Sequence, residues 1–441
     1  MIRTSVFLPM AGLICLCIGA NGQQPSTTLS ASAASSAPRT ITFQDALALA
    51  RRNSVEFHAA ITDHLVARED KKQARAALLP GVNFNNQAIY TEPRNGQPLF
   101  IASNGVHEYV SQSNAHESIG YSELADFRKA QAQEAAARAK AGIAERGLVV
   151  TVVQSYYGLL AAQRKYSSVQ EAAAESTRFL DVSRKLEAGG EVAHSDAIKA
   201  QIQWQDRHRD LREAELAMQK ARLDLAVLIF PDFNENFTAV DDLDLTPALA
   251  AFDDFARLAR SNSLDVKASE ASFSAAQFGV SSAWGGYVPS LALDYFYGID
   301  ATHFATHTDG VRNLGYEASA TLNIPIWNWG ATKSKVTQAN LRRDQARREL
   351  SQAQRKLLAQ IRTAWGEADA AHSELELLKS SAELAAESLK LTTLRYRGGE
   401  ATVLEVVDAQ NTLSQARNAF HDGVVRYRMA LAGLQTLTGT M

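Results

Sequence analysis

Apolar residues recur at steps of three and four through much of the chain. Over 371–397, Leu375, Leu378, Ala382, Ala385 and Leu389 form such a seam, and charged residues fill much of the rest. That spacing predicts a coiled-coil-like helix with many small residues along its seam. Helical character rich in Ala, Leu, Gln, Glu, Arg and Lys extends over all of 331–397 and, earlier, over 122–188. At about 1.5 Å per residue each run would be about 100 Å long, far more than a compact domain encloses. Gly189-Gly190 ends the first run and Gly398-Gly399 the second, and a further helix follows each, over 191–229 and 400–437. Shorter helical patterns come before the long ones, over 42–79 and 251–288. Thr42 and Asp253 offer starts for them, and Pro80 and Pro289 offer stops.

Between the short and long helical patterns the period changes from 3.6 to 2. Leu291, Leu293, Tyr295, Tyr297 and Ile299 alternate with Ser290, Ala292, Asp294, Phe296 and Gly298. Tyr316, Ala318, Ala320, Leu322 and Ile324 alternate with Glu317, Ser319, Thr321 and Asn323. Each stretch is about ten residues with one apolar face, the length and pattern of a membrane-spanning strand. A polar loop, 300–313, joins them into a β-hairpin over 290–325. In the first half, Val82, Phe84, Ala88 and Tyr90 give a rougher strand, and a hairpin over 81–117 is expected although its return strand is poorly patterned. Two hairpins cannot span a membrane alone, because their open edges would leave backbone groups unpaired in lipid. Completion by other chains is required.

Self-comparison explains why the order of elements occurs twice. Phe43, Asp45, Leu49-Ala50-Arg51 and Asn53-Ser54 recur as Phe252, Asp254, Leu258-Ala259-Arg260 and Asn262-Ser263, 209 residues later. The same offset relates Pro80 to Pro289, Gly189-Gly190-Glu191 to Gly398-Gly399-Glu400, and Gln201 to Gln410. The chain reads as an internal duplication, 42–230 and 251–439, joined by an acidic, proline-containing linker over 231–250.

Composition narrows the function. Lys and Arg number 45 against 48 Asp and Glu, and no basic domain stands out, so nucleic acid is not an expected partner. Met1 and Arg3 precede an apolar stretch from Val6 to Ala20, and Ala20-Asn21-Gly22 offers small residues for cleavage, so 1–22 reads as a signal peptide and the mature chain as starting at Gln23. Cys15 and Cys17 would leave with that peptide, removing thiol chemistry and disulfides. Ile14 and Leu16 precede the cysteines where lipidation wants a small residue. Residues 23–41, rich in Ser, Ala and Thr, read as a flexible leader. No later stretch reaches 18 uninterrupted apolar residues, which excludes a conventional helical membrane protein but not a membrane barrel. There is no GxSxG, HExxH or phosphate-binding glycine loop, so an enzyme is not expected, and no cofactor is implied. His303 and His307 lie four apart in a loop with no third ligand, so no metal site is expected. Trp327 and Trp329 flank the exit from the second hairpin and fit an aromatic belt at a membrane interface.

The ordered set of motifs resembles the TolC-like outer membrane efflux protein family over 42–439. Thr42 to Ala50 looks like the family's opening helix, and Leu79-Pro80 and Val288-Pro289 like its helix-to-strand entries. Asn323 to Gly330, with Pro325, Trp327 and Trp329, looks like the return into the long helix. Arg395 to Glu400 followed by Val403 to Gln410 looks like the periplasmic helical hairpin. One element departs: at the offset of 209, Pro325 corresponds to His116, and Trp327 to Gly330 correspond to Ser118-Ile119-Gly120-Tyr121, so the register of the first return strand stays open.

The resemblance implies a mainly α protein with a small membrane β part. Three copies would close a twelve-stranded β-barrel in the outer membrane of a Gram-negative cell and an α-barrel of long helical hairpins in the periplasm. A periplasmic adaptor (a membrane fusion protein) and an inner-membrane pump would dock, and substrate would pass through passively. The tips at Gly189, Gly190, Glu191, Gly398, Gly399 and Glu400 would face the adaptor. Glu405 and Asp408 match carboxylates lining the closed entrance of well-known members. Like charges gathered there by three copies would tend to raise the carboxylate pKa. Tyr396 matches a latch residue of some members, but Ala401 stands where they carry a charged partner. Asp196 is the first-half equivalent of Glu405, and Lys199 that of Asp408. Efflux is favoured over the same architecture in type I protein secretion. A soluble periplasmic coiled-coil scaffold would account for the helices but leaves the alternating tracts unexplained.

Overall fold

In a computed structural model, the structure describes residues 39–440 apart from 96, 99–104, 244–246 and 309. The expected signal peptide and leader residues 23–38 lie outside the described residues. In chain order the elements are β1 (Arg39–Ile41), α1 (Phe43–Asn53), α2 (Val55–Ala76), β2 (Gly81–Tyr90), β3 (Pro93–Arg94), β4 (Gln97–Pro98), β5 (His107–Ile119), α3 (Tyr121–Ala188) and α4 (His194–Ile229). There follow β6 (Phe237–Ala239), α5 (Phe252–Asn262), α6 (Leu264–Gly285), β7 (Ser290–Ala301), β8 (His307–Thr308), β9 (Val311–Arg312), β10 (Leu314–Asn323), α7 (Ala331–Arg397) and α8 (Val403–Thr438). The molecule is mostly helical with a smaller β part. Helices α3 and α7, of 68 and 67 residues, run about 100 Å each.

Segment 42–79, read as one helix, is two, and so is 251–288. Ser54 and Ser263 adopt extended backbone, and each hydroxyl accepts from the amide three residues on, Phe57 N at 3.2 Å and Val266 N at 3.3 Å. A serine that satisfies the first amides of a new helix ends the old one. The preceding asparagines turn outward: Asn53 Nδ2 donates to the Ile229 carbonyl at 2.5 Å, and Asn262 Nδ2 to Thr438 at 3.0 Å. Each thereby caps the final turn of a long helix 176 residues away. Thr42 caps α1 in a capping box with Asp45. Asp253 does not start α5; Ala251 holds the cap position without a side-chain bond, and Asp253 lies in the first turn.

Two further boundaries differ from the sequence reading. Residues 39–41, assigned to the leader, form β1, which pairs in parallel with β6 inside the segment read as a linker. Burial is the reason: Ile41, Phe237 and Ala239 pack into the largest apolar cluster, beside Tyr156, Leu159, Leu225 and Ile229. The Tyr156 hydroxyl donates to the carbonyls of Val240 at 2.7 Å and Ile41 at 3.3 Å, tying both strands to α3. Trp365 makes the corresponding bond to the Ala250 carbonyl at 3.2 Å. Phe43 meets Tyr156 edge-on at 5.7 Å, and Phe252 meets Trp365 edge-on at 5.8 Å. The same contacts thus recur 209 residues apart.

The four long strands form one antiparallel sheet in the order β10-β7-β5-β2. Register places Val82, Phe84, Ala88 and Tyr90 on the same face as Leu293, Tyr295 and Tyr297 and as Tyr316 and Ala320. Most of the large side chains on this face are exposed. The other face carries Asn83, Asn85, Gln112, Asn114, Asp294 and Glu317, and His116 Nδ1 bonds Asp294 there at 2.8 Å. Gly298 is required where β7 pairs with β5, since a Cβ there would collide with the Ser111 carbonyl oxygen and the Gln112 backbone.

The open register of the first return strand is resolved. Gly81 lies opposite His116, whereas Ser290 lies opposite Asn323, a slip of two residues from the repeat offset. Strand β5 continues to Ile119, and α3 starts directly after Gly120. Strand β10 stops at Asn323, two residues before Pro325, which has no amide to donate to the ladder.

Near the sheet the helices lie in the order α2-α3-α6-α7, and towards the far end in the order α4-α3-α8-α7. Strands β2 and β10 are therefore open sheet edges, and α2, α4 and α7 are open helix edges on the same two sides. Among the described residues no helix is long and apolar enough to cross a membrane.

Candidate functional site at the helical tips

Each long helix ends in the same reversal. At the first tip, Gly190 N donates to the Glu187 carbonyl and Glu191 N to Leu186, both at 2.9 Å. At the second, Gly399 N donates to Tyr396 at 3.1 Å and Glu400 N to Arg395 at 2.9 Å. These are Schellman motifs, which need a left-handed residue at the second glycine. Gly190 has φ +77° and Gly399 φ +73°. Gly189 and Gly398 complete the last turns with ordinary helical or near-helical backbone.

The two following helices start differently. Thr402 caps α8 through a capping box: its hydroxyl accepts from Glu405 N at 3.4 Å, and the Glu405 carboxylate accepts from Thr402 N at 3.0 Å. Ala193 precedes α4 and offers no side-chain bond. At this end Lys199 Nζ bonds Asp196 at 3.1 Å, and His194 bonds Glu187 across the turn.

Tyr396 is 3% exposed, inside a small core with Phe179, Leu180, Ala200, Val403 and Val406. Its hydroxyl shares a 3.1 Å hydrogen bond with Ser183, and its ring lies 5.2 Å from Phe179. It joins the second hairpin to the first from within the chain. Glu405 and Asp408 occupy the exposed side of α8, away from Val403 and Val406. Within one chain the Glu405 carboxyl is held below its ordinary pKa. The Thr402 backbone amide is the largest cause, followed by the Thr402 hydroxyl and the Arg395 charge. A helix-terminal amide contacts the charge directly, at 3.0 Å. Arg395 also donates to the Glu400 carbonyl at 3.1 Å and reaches Glu405 at 3.5 Å. Neither Arg395 nor Thr402 stands out as a site residue along the chain, although Thr402-Val403-Leu404-Glu405 carries the capping-box spacing.

Trp327 and Trp329 lie far from the tips, in the segment between β10 and α7, and are 75% and 90% exposed. Their rings meet edge-on at 5.9 Å. At the corresponding junction between α6 and β7, exposed Trp284 and Tyr287 lie 5.3 Å apart. An exposed aromatic cluster therefore marks the level where helices give way to strands. Among the described residues no group of three or more His, Cys, Asp or Glu is placed to hold a metal.

Residues 46–229 and 256–440 match the family model described as Outer membrane efflux protein. Outer membrane protein TolC of Vibrio cholerae is 24% identical over 405 residues, covering 89% of each chain. Proteases secretion protein PrtF of Dickeya chrysanthemi is 20% identical over 414 residues, covering 90% of this chain and 88% of its own. The solved outer membrane protein VceC of Vibrio cholerae superposes with a TM-score of 0.81 at 18% identity, covering 90% of this chain and 96% of its own.

Proposed function

Because the chain belongs to the outer membrane efflux protein family, we propose that it is the exit channel of a tripartite efflux system, closed by three copies of itself. Family membership makes it an outer-membrane channel, with its helical part forming a periplasmic tunnel, in a multi-component efflux or secretion system. It moves substrate and catalyses no reaction.

The observation that carries the trimer is the four-stranded sheet with two open edges and one largely exposed apolar face. Lipid tolerates no open edge, so β10 of one copy must meet β2 of the next. Three copies supply twelve strands. The open helix edges lie on the same two sides, so one rotation closes sheet and helices together. Trp327 and Trp329 then stand at the membrane interface.

At the far end, Glu405 and Asp408 of each copy line the entrance, and their rings favour cations, Asp408 more than Glu405, whose charge Arg395 partly offsets. Asp196 adds less, since Lys199 neutralises it. Tyr396 acts from inside the chain, holding the hairpins in the resting arrangement. The tips from Gly189 to Glu191 and from Gly398 to Glu400 contact a periplasmic adaptor, which couples the conduit to an inner-membrane pump.

The test is conductance in planar bilayers together with the mass of the same preparation. A trimer with cation-preferring openings, and a weaker preference after Glu405→Ala with Asp408→Ala, supports the reading. A monomer that never inserts refutes it. The likeness to a protease secretion protein keeps type I secretion as the second reading. Loss of a secreted protein from a deletion strain, without any rise in sensitivity to small toxic compounds, would favour it.

A further inference from the structure

From Arg397, directly beside the second tip, and upward from it, α3 and α7 form the walls of a groove of about 550 Å³ floored by α8. That volume suits a small organic molecule. Ala172, Leu389 and Leu413 make the surface partly apolar, and five cationic side chains line it against two carboxylates, Glu171 and Glu175. Both carboxylates are already engaged: Glu171 by Arg417 at 2.8 Å and Glu175 by Arg178 at 3.0 Å. Lys390 and Arg397, on the α7 wall, make no ion pair among the described residues.

The floor is more telling. Gln410 is only 8% exposed, yet neither its amide nitrogen nor its amide oxygen has a hydrogen-bond partner. A buried amide left without partners costs about 1–3 kcal/mol. Gln410 lies five residues after Glu405, roughly on the opposite side of α8 at 100° per residue. The groove therefore opens away from the carboxylates proposed to line the conduit. A shallower extension runs past Arg417 to His421, whose buried Nδ1 also lacks a partner.

We propose that this groove binds a small amphipathic organic anion: a flat or alicyclic apolar body bearing one carboxylate or sulfonate. The body rests on Leu389 and Leu413, the anionic group meets Lys390 and Arg397, and Gln410 bonds a polar atom of the ligand. All the walls belong to one chain, so the site does not depend on closure of a ring. A bound ligand bridges α3 to α7, which belong to different hairpins.

The test uses the full-length protein in lipid nanodiscs, with naphthalene-2-sulfonate as the probe and uncharged 2-naphthol as control, read by calorimetry. One saturable site per chain is expected for the sulfonate, with clearly weaker binding of the naphthol. Lys390→Glu with Arg397→Glu should weaken the sulfonate at least about tenfold, as loss of charge-assisted contacts does. Gln410→Leu should weaken it several-fold while leaving the melting temperature unchanged or higher, because the variant removes an unpartnered amide. A residue that only supports the helix packing would instead lower the melting temperature. Absence of saturable sulfonate binding, equal binding of the naphthol, or full affinity in both variants would overturn the proposal. So would finding that the groove accepts only a partner protein's helix.

Discussion

The two halves of the chain share their reversals and differ in how each reversal is followed. Both tips use a glycine at positive φ in the same hydrogen-bonded turn. After the second, Thr402 and Glu405 lock the start of α8; after the first, Ala193 leaves α4 without a side-chain cap. At the opposite end the contrast repeats. Strand β5 passes into α3 through Gly120 alone, whereas β10 reaches α7 through a segment holding Pro325, Trp327, Trp329 and a left-handed Gly330. A duplicated frame has kept the contacts that hold its layers together while its two ends diverged.

The largest test of that contrast lies where β1 and β6 pack against α3. Tyr156 is 1% exposed and bonds two carbonyls, whereas its counterpart Trp365 is half-buried and bonds one. Tyr156→Ala should cost about 3–5 kcal/mol, in the range of large core truncations. Trp365→Ala should cost clearly less. Denaturant unfolding of each variant compares them, and equal losses would break the asymmetry.

The tips should respond alike to loss of their glycines. Gly190→Ala and Gly399→Ala each place a Cβ at positive φ and should destabilise by about 1–2 kcal/mol, seen as a lower melting temperature. A marked difference between them would mean that only one tip depends on its turn geometry.

The caps should separate the halves again. Thr402→Ala should cost about 1 kcal/mol, and Ala193→Ser should gain a similar or smaller amount by giving α4 the cap it lacks. Amide hydrogen exchange over 190–200 and 399–409 measures both. If Ala193→Ser changes nothing, the first tip is fixed by its packing rather than its cap.

The smallest effect is on pH. Glu405 has a folded pKa below its unfolded value, so its contribution is present above the unfolded pKa, about 4.3. It fades as pH falls through the lower folded value. Protection at the second tip should therefore decline in acid for the natural protein, while Glu405→Gln shows a flatter profile over the same window. Acid-insensitive protection at this tip would remove the carboxylate from the capping role.

Much of the architecture was legible along the chain. The periods of 3.6 and 2, the Gly-Gly reversals and the offset of 209 are local or repeated signals. They state which segments are helix, which are strand and that the plan occurs twice. The family motifs added the channel, and the spacing of Glu405 and Asp408 placed both on one side of a helix. Less legible were the breaks at Ser54 and Ser263. A single serine inside a good helical pattern is weak evidence until Asn53 and Asn262 are seen to cap α4 and α8 from 176 residues away.

Sequence by itself determined the helices, the reversals, the alternating strands and the duplication, because each depends on neighbours within a few turns or on a repeat that can be read directly. Tertiary structure alone decided the order of the layers, the two-residue slip of β5, the burial of Tyr396 against Ser183 and the pairing of β1 with β6. It also decided that Glu405 spends its charge on Thr402 and Arg395, and that Gln410 is buried without a partner. These depend on residues tens to hundreds of positions apart, and a linear pattern does not record which side chain another element has already satisfied.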